Sequence, residues 1–261
     1  MKYLMCKPTF YGIEYEINPW MDMKQGADRK LAISQWEQLS VTLTQLGAMV
    51  QFVDPVEHLP DMVFTANAGL VSGNRVILSN FRHKERQGEA PQYQRWFEVN
   101  GYTVETLPKE HPFEGEGDAL FVGQILFAGY IYRSDVYSHD LIAERLGIEV
   151  LSLQLTDPRF YHLDTCFCPL APDTAAYVPT AFDDYARKVL TANIPHLIEI
   201  GEADAEKFAA NTVVLGSDVV MNAGCDAFAR VLEDRGFCIH PVDLSQFLRA
   251  GGSAKCLVLR L

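Results

Sequence analysis

One pattern recurs along the chain and limits what it can fold into. Two short apolar strands flank a turn, a helix follows, and a third short strand closes the unit. Residues 62–65 and 75–78 read as strands around a turn at Ser72-Gly73-Asn74, with a helix over 92–99 and a strand over 103–106. The order returns as 119–122, Gly123-Gln124, 125–128, a helix over 138–146 and a strand over 148–151. It returns as 165–169, 175–178, helix 183–191 and strand 197–200. It returns again as 212–215, Gly216-Ser217, 219–221, helix 226–235 and strand 238–241. The last strand, 257–261, has no successor, and residues 3–7 at the other terminus supply the missing partner. Helix 28–46 and strand 49–53 then complete a fifth unit. The units open on Asp61, Asp118, Asp164, Asn211 and Cys256, about 45–57 residues apart, within the range of repeat architectures. A ring closed by the two termini turns these openings towards one centre and leaves no terminal strand as a free edge.

Composition narrows the partners. Of 261 residues, 48% are hydrophobic, enough for a large core, and no linker or low-complexity stretch divides the chain, so residues 1–261 read as one catalytic domain. Lys and Arg number 22 against 34 Asp and Glu, a net charge of −12. Phosphate backbones and anionic lipids repel such a chain, so we expect no nucleic acid and no membrane partner, but a small cationic substrate. No apolar run approaches the length of a spanning helix, and the first residues lack the apolar core of a signal peptide. The six cysteines match no zinc spacing and a chain this long needs no disulfide staples, so a reduced, cytoplasmic protein without a cofactor is expected. A homo-oligomer is compatible with all of this. Cys166 and Cys168 alternate along an expected strand and read as core residues.

The groups that carry chemistry fall at the unit openings. Cys256 follows Gly251-Gly252-Ser253-Ala254-Lys255, a small-residue approach that lets a ligand near the backbone. Tyr161-His162-Leu163-Asp164-Thr165 and Glu114-Gly115-Glu116-Gly117-Asp118 bring an imidazole and carboxylates. A thiol, an imidazole and acids are the parts of a cysteine hydrolase. Each also has a plain structural role open to it: core thiol, satisfied histidine, turn or cap acid. His139, His196 and His240 show no partner spacing and read as structural.

These motifs in this order resemble the guanidino-group-modifying enzymes: arginine deiminases, dimethylarginine dimethylaminohydrolases, amidinotransferases and the cyanobacterial arginine dihydrolases. The resemblance covers essentially the whole chain. It rests on Asp61-Met62-Val63-Phe64-Thr65-Ala66-Asn67, on Arg82-His83-Lys84-Glu85-Arg86-Gln87-Gly88-Glu89, on the glycine-rich acidic motif, on His162-Leu163-Asp164-Thr165 and on Gly251 to Cys256. It implies a five-bladed α/β propeller of ββαβ units with pseudo-fivefold symmetry, the pentein fold. It implies Cys256 as nucleophile, His162 as general acid and base, and Asp164 as a guanidinium-binding carboxylate. A further acid comes from the glycine-rich motif, where the spacing departs from the usual Glu-Gly-Gly-Asp. Register with His162-Leu163-Asp164 favours Glu116, with Glu114 and Asp118 as further candidates. Arg86 resembles the binder of a substrate carboxylate, ahead of Arg82. Asn67 stands where deiminases and dimethylarginine hydrolases usually carry an acid; with Asn18 in Glu16-Ile17-Asn18-Pro19-Trp20 it resembles the arginine dihydrolase branch.

The chemistry explains the residue types. Carboxylates fix the plane of a guanidinium by paired N–H bonds. A thiolate attacks its central carbon, and an imidazole protonates the departing nitrogen and then activates water. Carboxylates near Cys256 raise its thiol pKa, so the bound substrate cation is expected to supply the charge that favours the thiolate. The expected activity is hydrolysis of free arginine or a close analogue. The alternatives are a dimethylarginine hydrolase, an amidinotransferase and a non-catalytic arginine-binding scaffold. A metal held by His162, Asp164 and Cys166 lacks an evident fourth ligand.

Overall fold

A computed structural model describes all 261 residues. Four units follow the expected order. Strands β3 (Gly69–Ser72) and β4 (Arg75–Leu78), helix α2 (Ala90–Val99) and strand β5 (Thr103–Thr106) form the first. Next come β6 (Ala119–Val122), β7 (Ile125–Tyr130), α3 (Val136–Leu146) and β8 (Val150–Gln154). Then come β9 (Phe167–Ala171), β10 (Thr174–Tyr177), α4 (Asp184–Asn193) and β11 (His196–Glu199), followed by the short α5 (Glu202–Ala205). The fourth holds β12 (Val213–Leu215), β13 (Asp218–Asn222), α6 (Asp226–Glu233), β14 (Cys238–Val242) and the short α7 (Ser245–Leu248). In each sheet the second strand is central, antiparallel to the first and parallel to the third. The parallel pairing requires a crossover, which the helix provides.

The fifth sheet joins the termini. β1 (Lys2–Cys6) pairs antiparallel with β15 (Leu259–Arg260) and parallel with β2 (Met49–Val53), with α1 (Arg29–Gln45) as crossover. A cavity of about 470 Å³ takes lining residues from the first strand of every sheet: Val71, Ala119, Phe167, Val213 and Arg260. The five sheets therefore surround one axis. The largest apolar cluster runs from Leu120 through Phe127, Phe167, Tyr177 and Val219 to Leu232, so three units share one core.

Local chemistry sets the boundaries. Asp28, Asp135 and Asp183 each accept an N–H of the helix they precede, satisfying donors that the first turn leaves open. Gly123 opens the two-residue turn between β6 and β7 at φ 58°, a conformation that other residues rarely adopt. No helix is long and apolar enough to cross a membrane.

Three expectations change. Residues 62–65 are not a strand but part of two 3-10 turns, Pro60–Val63 and Thr65–Ala68, and the first inner strand begins at Gly69. Pro60 at the first helical position favours that turn, and the run is apolar because it is buried, not because it is pleated. The last strand is only Leu259–Arg260, and Cys256 lies in the turn before it. Cys166 lies in a turn rather than on a strand, although it and Cys168 are both core residues.

Candidate active site

The turns that feed the inner strands carry the polar side chains. The main-chain N–H of Asp118 bonds Gly115 O, that of Cys166 bonds Leu163 O, and that of Val258 bonds Lys255 O. By that bond Glu116, Asp164 and Cys256 hold equivalent places, and Glu114 matches His162. The expected alignment of Asp118 with Asp164 and Cys256 is therefore off by two residues, and Asp61 sits apart in the turn Pro60–Val63.

Equivalent places have different surroundings. Glu116, favoured by register as the acid of the glycine-rich motif, turns towards the axial cavity. Its Oε2 accepts from Lys255 Nζ at 2.9 Å and from the main-chain N–H of Arg260 at 3.2 Å. Those two donors draw it away. Asp164 and Cys256 face each other, Sγ 3.2 Å from Asp164 Oδ2. Asp164 Oδ1 is buried without a partner, which leaves a free acceptor beside the thiol.

Glu114 takes the place beside the imidazole. Its Oε2 lies 2.8 Å from His162 Nε2 and accepts from Arg133 Nη1 at 2.9 Å, while its Oε1 accepts from Arg82 N at 3.2 Å. Burial alone would raise the Glu114 carboxyl, but Arg133 and His162 outweigh it and hold the group below its ordinary range. Burial pushes His162 down to about 4 against the pull of Glu114. A neutral imidazole beside an ionised carboxylate must donate from Nε2, so Nδ1 is the basic atom.

Burial, reinforced by Asp164, drives the Cys256 thiol well above its ordinary value. Burial also raises Asp164, to about 6, although Lys255 pulls it down. Asp118 is raised well above the carboxylate range, chiefly by burial; it accepts from Ser134 Oγ at 2.6 Å and from Leu163 N at 3.1 Å, tying the acidic turn to the histidine turn.

The remaining expected residues border this centre. Asn67 Oδ1 accepts from Arg86 Nη1 at 2.8 Å, and its Nδ2 donates to Glu114 O at 3.3 Å. Arg86 is buried and held by both oxygens of Glu89 at 2.8 Å and by Asp61 O at 3.1 Å, which leaves one Nη1 hydrogen towards the site. Asn18 is a bracket: its Nδ2 donates to Ala250 O at 3.0 Å and its Oδ1 accepts from Trp20 N at 2.9 Å.

The glycine pair, read from its small size as an approach for a ligand, faces aromatic rings. A Cβ on Gly252 would stand 2.5 Å from Phe64 Cε1, and one on Gly251 2.8 Å from Tyr161 Oη. The pair exists so that aromatic rings can pack on the Cys256 turn. Nor do His162, Asp164 and Cys166 share a strand face: they lie on one 3-10 turn, where the Cys166 thiol donates to Leu163 O at 3.5 Å. No three His, Cys, Asp or Glu side chains are placed to hold a metal ion. His139 is buried against Ser152 Oγ at 2.8 Å, His240 lies 2.7 Å from Asp218, and His196 is exposed.

Two residues were missed in functional terms. Asn211 reads in the sequence only as a unit opening, yet its Nδ2 lies 3.1 Å from Cys256 Sγ. Arg133 carries no spacing signal. Ile131, at φ 115°, bends the chain after β7 in a conformation unusual for a β-branched residue, and Arg133 follows it inwards to Glu114 and stacks on Tyr161.

The five sheets and this buried cluster define a pentein. The chain belongs to the dimethylarginine dimethylaminohydrolase family, since the family described as "N,N dimethylarginine dimethylhydrolase, eukaryotic" matches residues 14–261. It is 51% identical to the bifunctional arginine dihydrolase/ornithine cyclodeaminase AgrE of Nostoc sp., over 100% of this chain but 38% of that protein. The chain thus spans about two fifths of the length of that relative. It is 43% identical to the N(G),N(G)-dimethylarginine dimethylaminohydrolase of Mycobacterium tuberculosis, over 100% of this chain and 85% of that one. Among solved structures, the N-terminal domain of ArgZ, an arginine dihydrolase from cyanobacteria, superposes with a TM-score of 0.96 at 48% identity, covering 99% of this chain and 97% of that one; there it is a cysteine-to-serine mutant bound to substrate. A further ArgZ structure is covalently bound to a reaction intermediate, and an AgrE mutant holds L-arginine.

Proposed function

We propose that the protein hydrolyses the guanidinium group of free L-arginine through a covalent thiouronium on Cys256, and that a second round releases ornithine, ammonia and carbon dioxide. One arrangement carries the proposal: a buried thiol 3.2 Å from Asp164 and a buried imidazole 2.8 Å from Glu114. The similarity to proteins solved with arginine supports it.

At rest the pair holds one mobile proton, as thiol and neutral imidazole. A guanidinium bonded to Asp164 adds a positive charge, and the proton moves from Cys256 to His162, where Glu114 stabilises the imidazolium. The thiolate attacks the central carbon and forms the S–C bond. His162 returns the proton to one nitrogen, the C–N bond breaks, and ammonia leaves a cationic thiouronium. His162 then takes a proton from water, whose oxygen bonds the carbon, and collapse of that adduct expels the thiolate and gives citrulline. Asp118 keeps the two turns in register. Arg133, Arg86 through its remaining hydrogen, and the Asn67 and Asn18 amides serve the α-carboxylate and amine end. The roles of Glu114 and Glu116 separate here: Glu114 is the acid of the histidine, and Glu116 is a structural partner of Lys255. Six unpaired cysteines support a reducing, cytoplasmic setting.

Methylated arginine is the second reading, favoured by the 43% identity to the mycobacterial enzyme. Incubation with arginine, scored for citrulline, ornithine and ammonia, separates the two. Two ammonia per ornithine, lost in Glu114→Gln by at least about 100-fold and kept within about tenfold in Glu116→Gln, is the expected result. Turnover of dimethylarginine with no product from arginine would overturn it.

A further inference from the structure

We propose that Asn211 is a catalytic residue: its side-chain amide donates to Cys256 Sγ and stabilises the thiolate that attacks. The inference rests on Cys256 being the nucleophile.

The orientation of the amide is fixed by its other bonds. Oδ1 accepts from the main-chain N–H groups of Ser253 and Cys256, each at 3.1 Å. Two donors at one end identify that end as the oxygen, so the amide cannot be reversed. Nδ2 then carries two hydrogens for two acceptors, Cys256 Sγ at 3.1 Å and Asp164 O at 2.9 Å. One side chain therefore clamps the Cys256 turn, the Asp164 turn and the sulfur.

The charges around the sulfur give the donor its value. Asp164 faces it at 3.2 Å and favours the neutral thiol. The Tyr161 phenol, bonded to Gly251 O at 2.8 Å, is a neutral neighbour. His162 lies on the turn beside Asp164, with its Nε2 committed to Glu114. Lys255, next in sequence, is turned onto Glu116 and bears on Asp164 instead. With Asn211 fully buried, no water competes for its N–H, so the bond strengthens as charge gathers on the sulfur. When the Sγ–H bond breaks, the proton goes to His162 and the electron pair forms the S–C bond. The Nδ2–H bond to nitrogen is never broken.

Asn211→Asp and Asn211→Ala test this. The aspartate keeps an acceptor for both main-chain donors but puts oxygen where Nδ2 was; the alanine removes the donor without adding charge. Both should lower kcat about 10- to 100-fold with KM changed less than about threefold. Both should also raise the pH midpoint for alkylation of Cys256 by iodoacetamide, followed on its peptide by mass spectrometry. A merely structural role would lower the melting temperature without moving that midpoint. Unchanged midpoints, with kcat within about twofold of the parent, would overturn the inference. If neither variant folds, the unaltered protein decides. The side-chain amide protons of Asn211 in a ¹⁵N-labelled sample should shift with the alkylation midpoint, and resonances that stay still while Cys256 titrates would sink the proposal. An unaltered protein with no action on arginine would refute the proposed function, while alkylation and resonance shifts would still decide the Asn211 bond.

Discussion

Cys256, His162 and Asp164 are each no more than 2% exposed, and burial moves all three towards their neutral forms. At pH 7 the thiol and the imidazole are therefore neutral and Asp164 is the charge that faces the sulfur, so a bound cation bears on all three together. Asp164 shows the cost of this in stability. Its folded pKa is about 6, above the unfolded value of 3.8, so between those values the folded state binds more protons. Stability is highest below pH 4 for this group and is lost as pH rises through 6, by on the order of 2–3 kcal/mol. Asp164→Asn removes the charge and keeps the shape. It should abolish turnover, melt several degrees higher than the parent at pH 7, and melt with it near pH 4. His162 acts in the opposite sense, its stability being lost as pH falls from 6.5 to about 4, but that contribution is common to both proteins and drops out of the comparison. Calorimetry across pH 4–8 reads this directly, and a variant less stable than the parent at pH 7 would contradict it.

Among the elements, the turns before the inner strands hold the polar side chains of the candidate site, and they were the hardest part of the sequence to read. Strand and helix order were legible because Gly123-Gln124 and Gly216-Ser217 mark hairpins and because β6 and β7 are compact apolar runs. Residues 62–65 misled for a physical reason: a buried 3-10 turn selects the same apolar residues as a strand, and burial, not pleating, is what composition reports. The choice between Glu114 and Glu116 needed contacts across the ring, from His162 in one direction and from Lys255 in the other, and no local pattern carries those. The glycine pair misled likewise, since smallness alone does not say whether a ligand or an aromatic ring lies opposite. Gly252→Ala tests the packing explanation. Phe64 is enclosed by Tyr11 and Phe247 and has little room to retreat from the added methyl. The variant should lose about 1–3 kcal/mol and most of its activity, and Phe64→Leu in the same chain should restore part of both. Full stability and activity in Gly252→Ala would overturn the packing explanation, and activity lost at unchanged stability would return the glycine to a ligand-access role.

The whole molecule depends on a closure of two residue pairs. Tyr3 pairs with Arg260 and Leu4 with Leu259, and Leu261 N donates to Lys2 O at 3.0 Å. Leu259 is fully buried among Leu4, Cys6 and Val53. The same strand reaches across the axis, because the main-chain N–H of Arg260 joins Lys255 on Glu116 of the second unit. Glu116, which bonds Lys255 and Arg260, therefore fastens the closing strand and the Cys256 turn to the facing wall of the ring. Deleting residues 259–261 should remove the antiparallel partner of β1, leave a free strand edge, and release the turn that presents the thiol. The shortened chain should melt well below the parent, scatter light on concentration as β1 edges pair between molecules, and lose turnover by at least about 100-fold. Leu259→Ala, which leaves the pairing intact, should lose about 2–5 kcal/mol but keep turnover below its melting point, because the Glu116 anchor remains. A shortened chain that stays dispersed and active would mean that the ring holds its site without being closed.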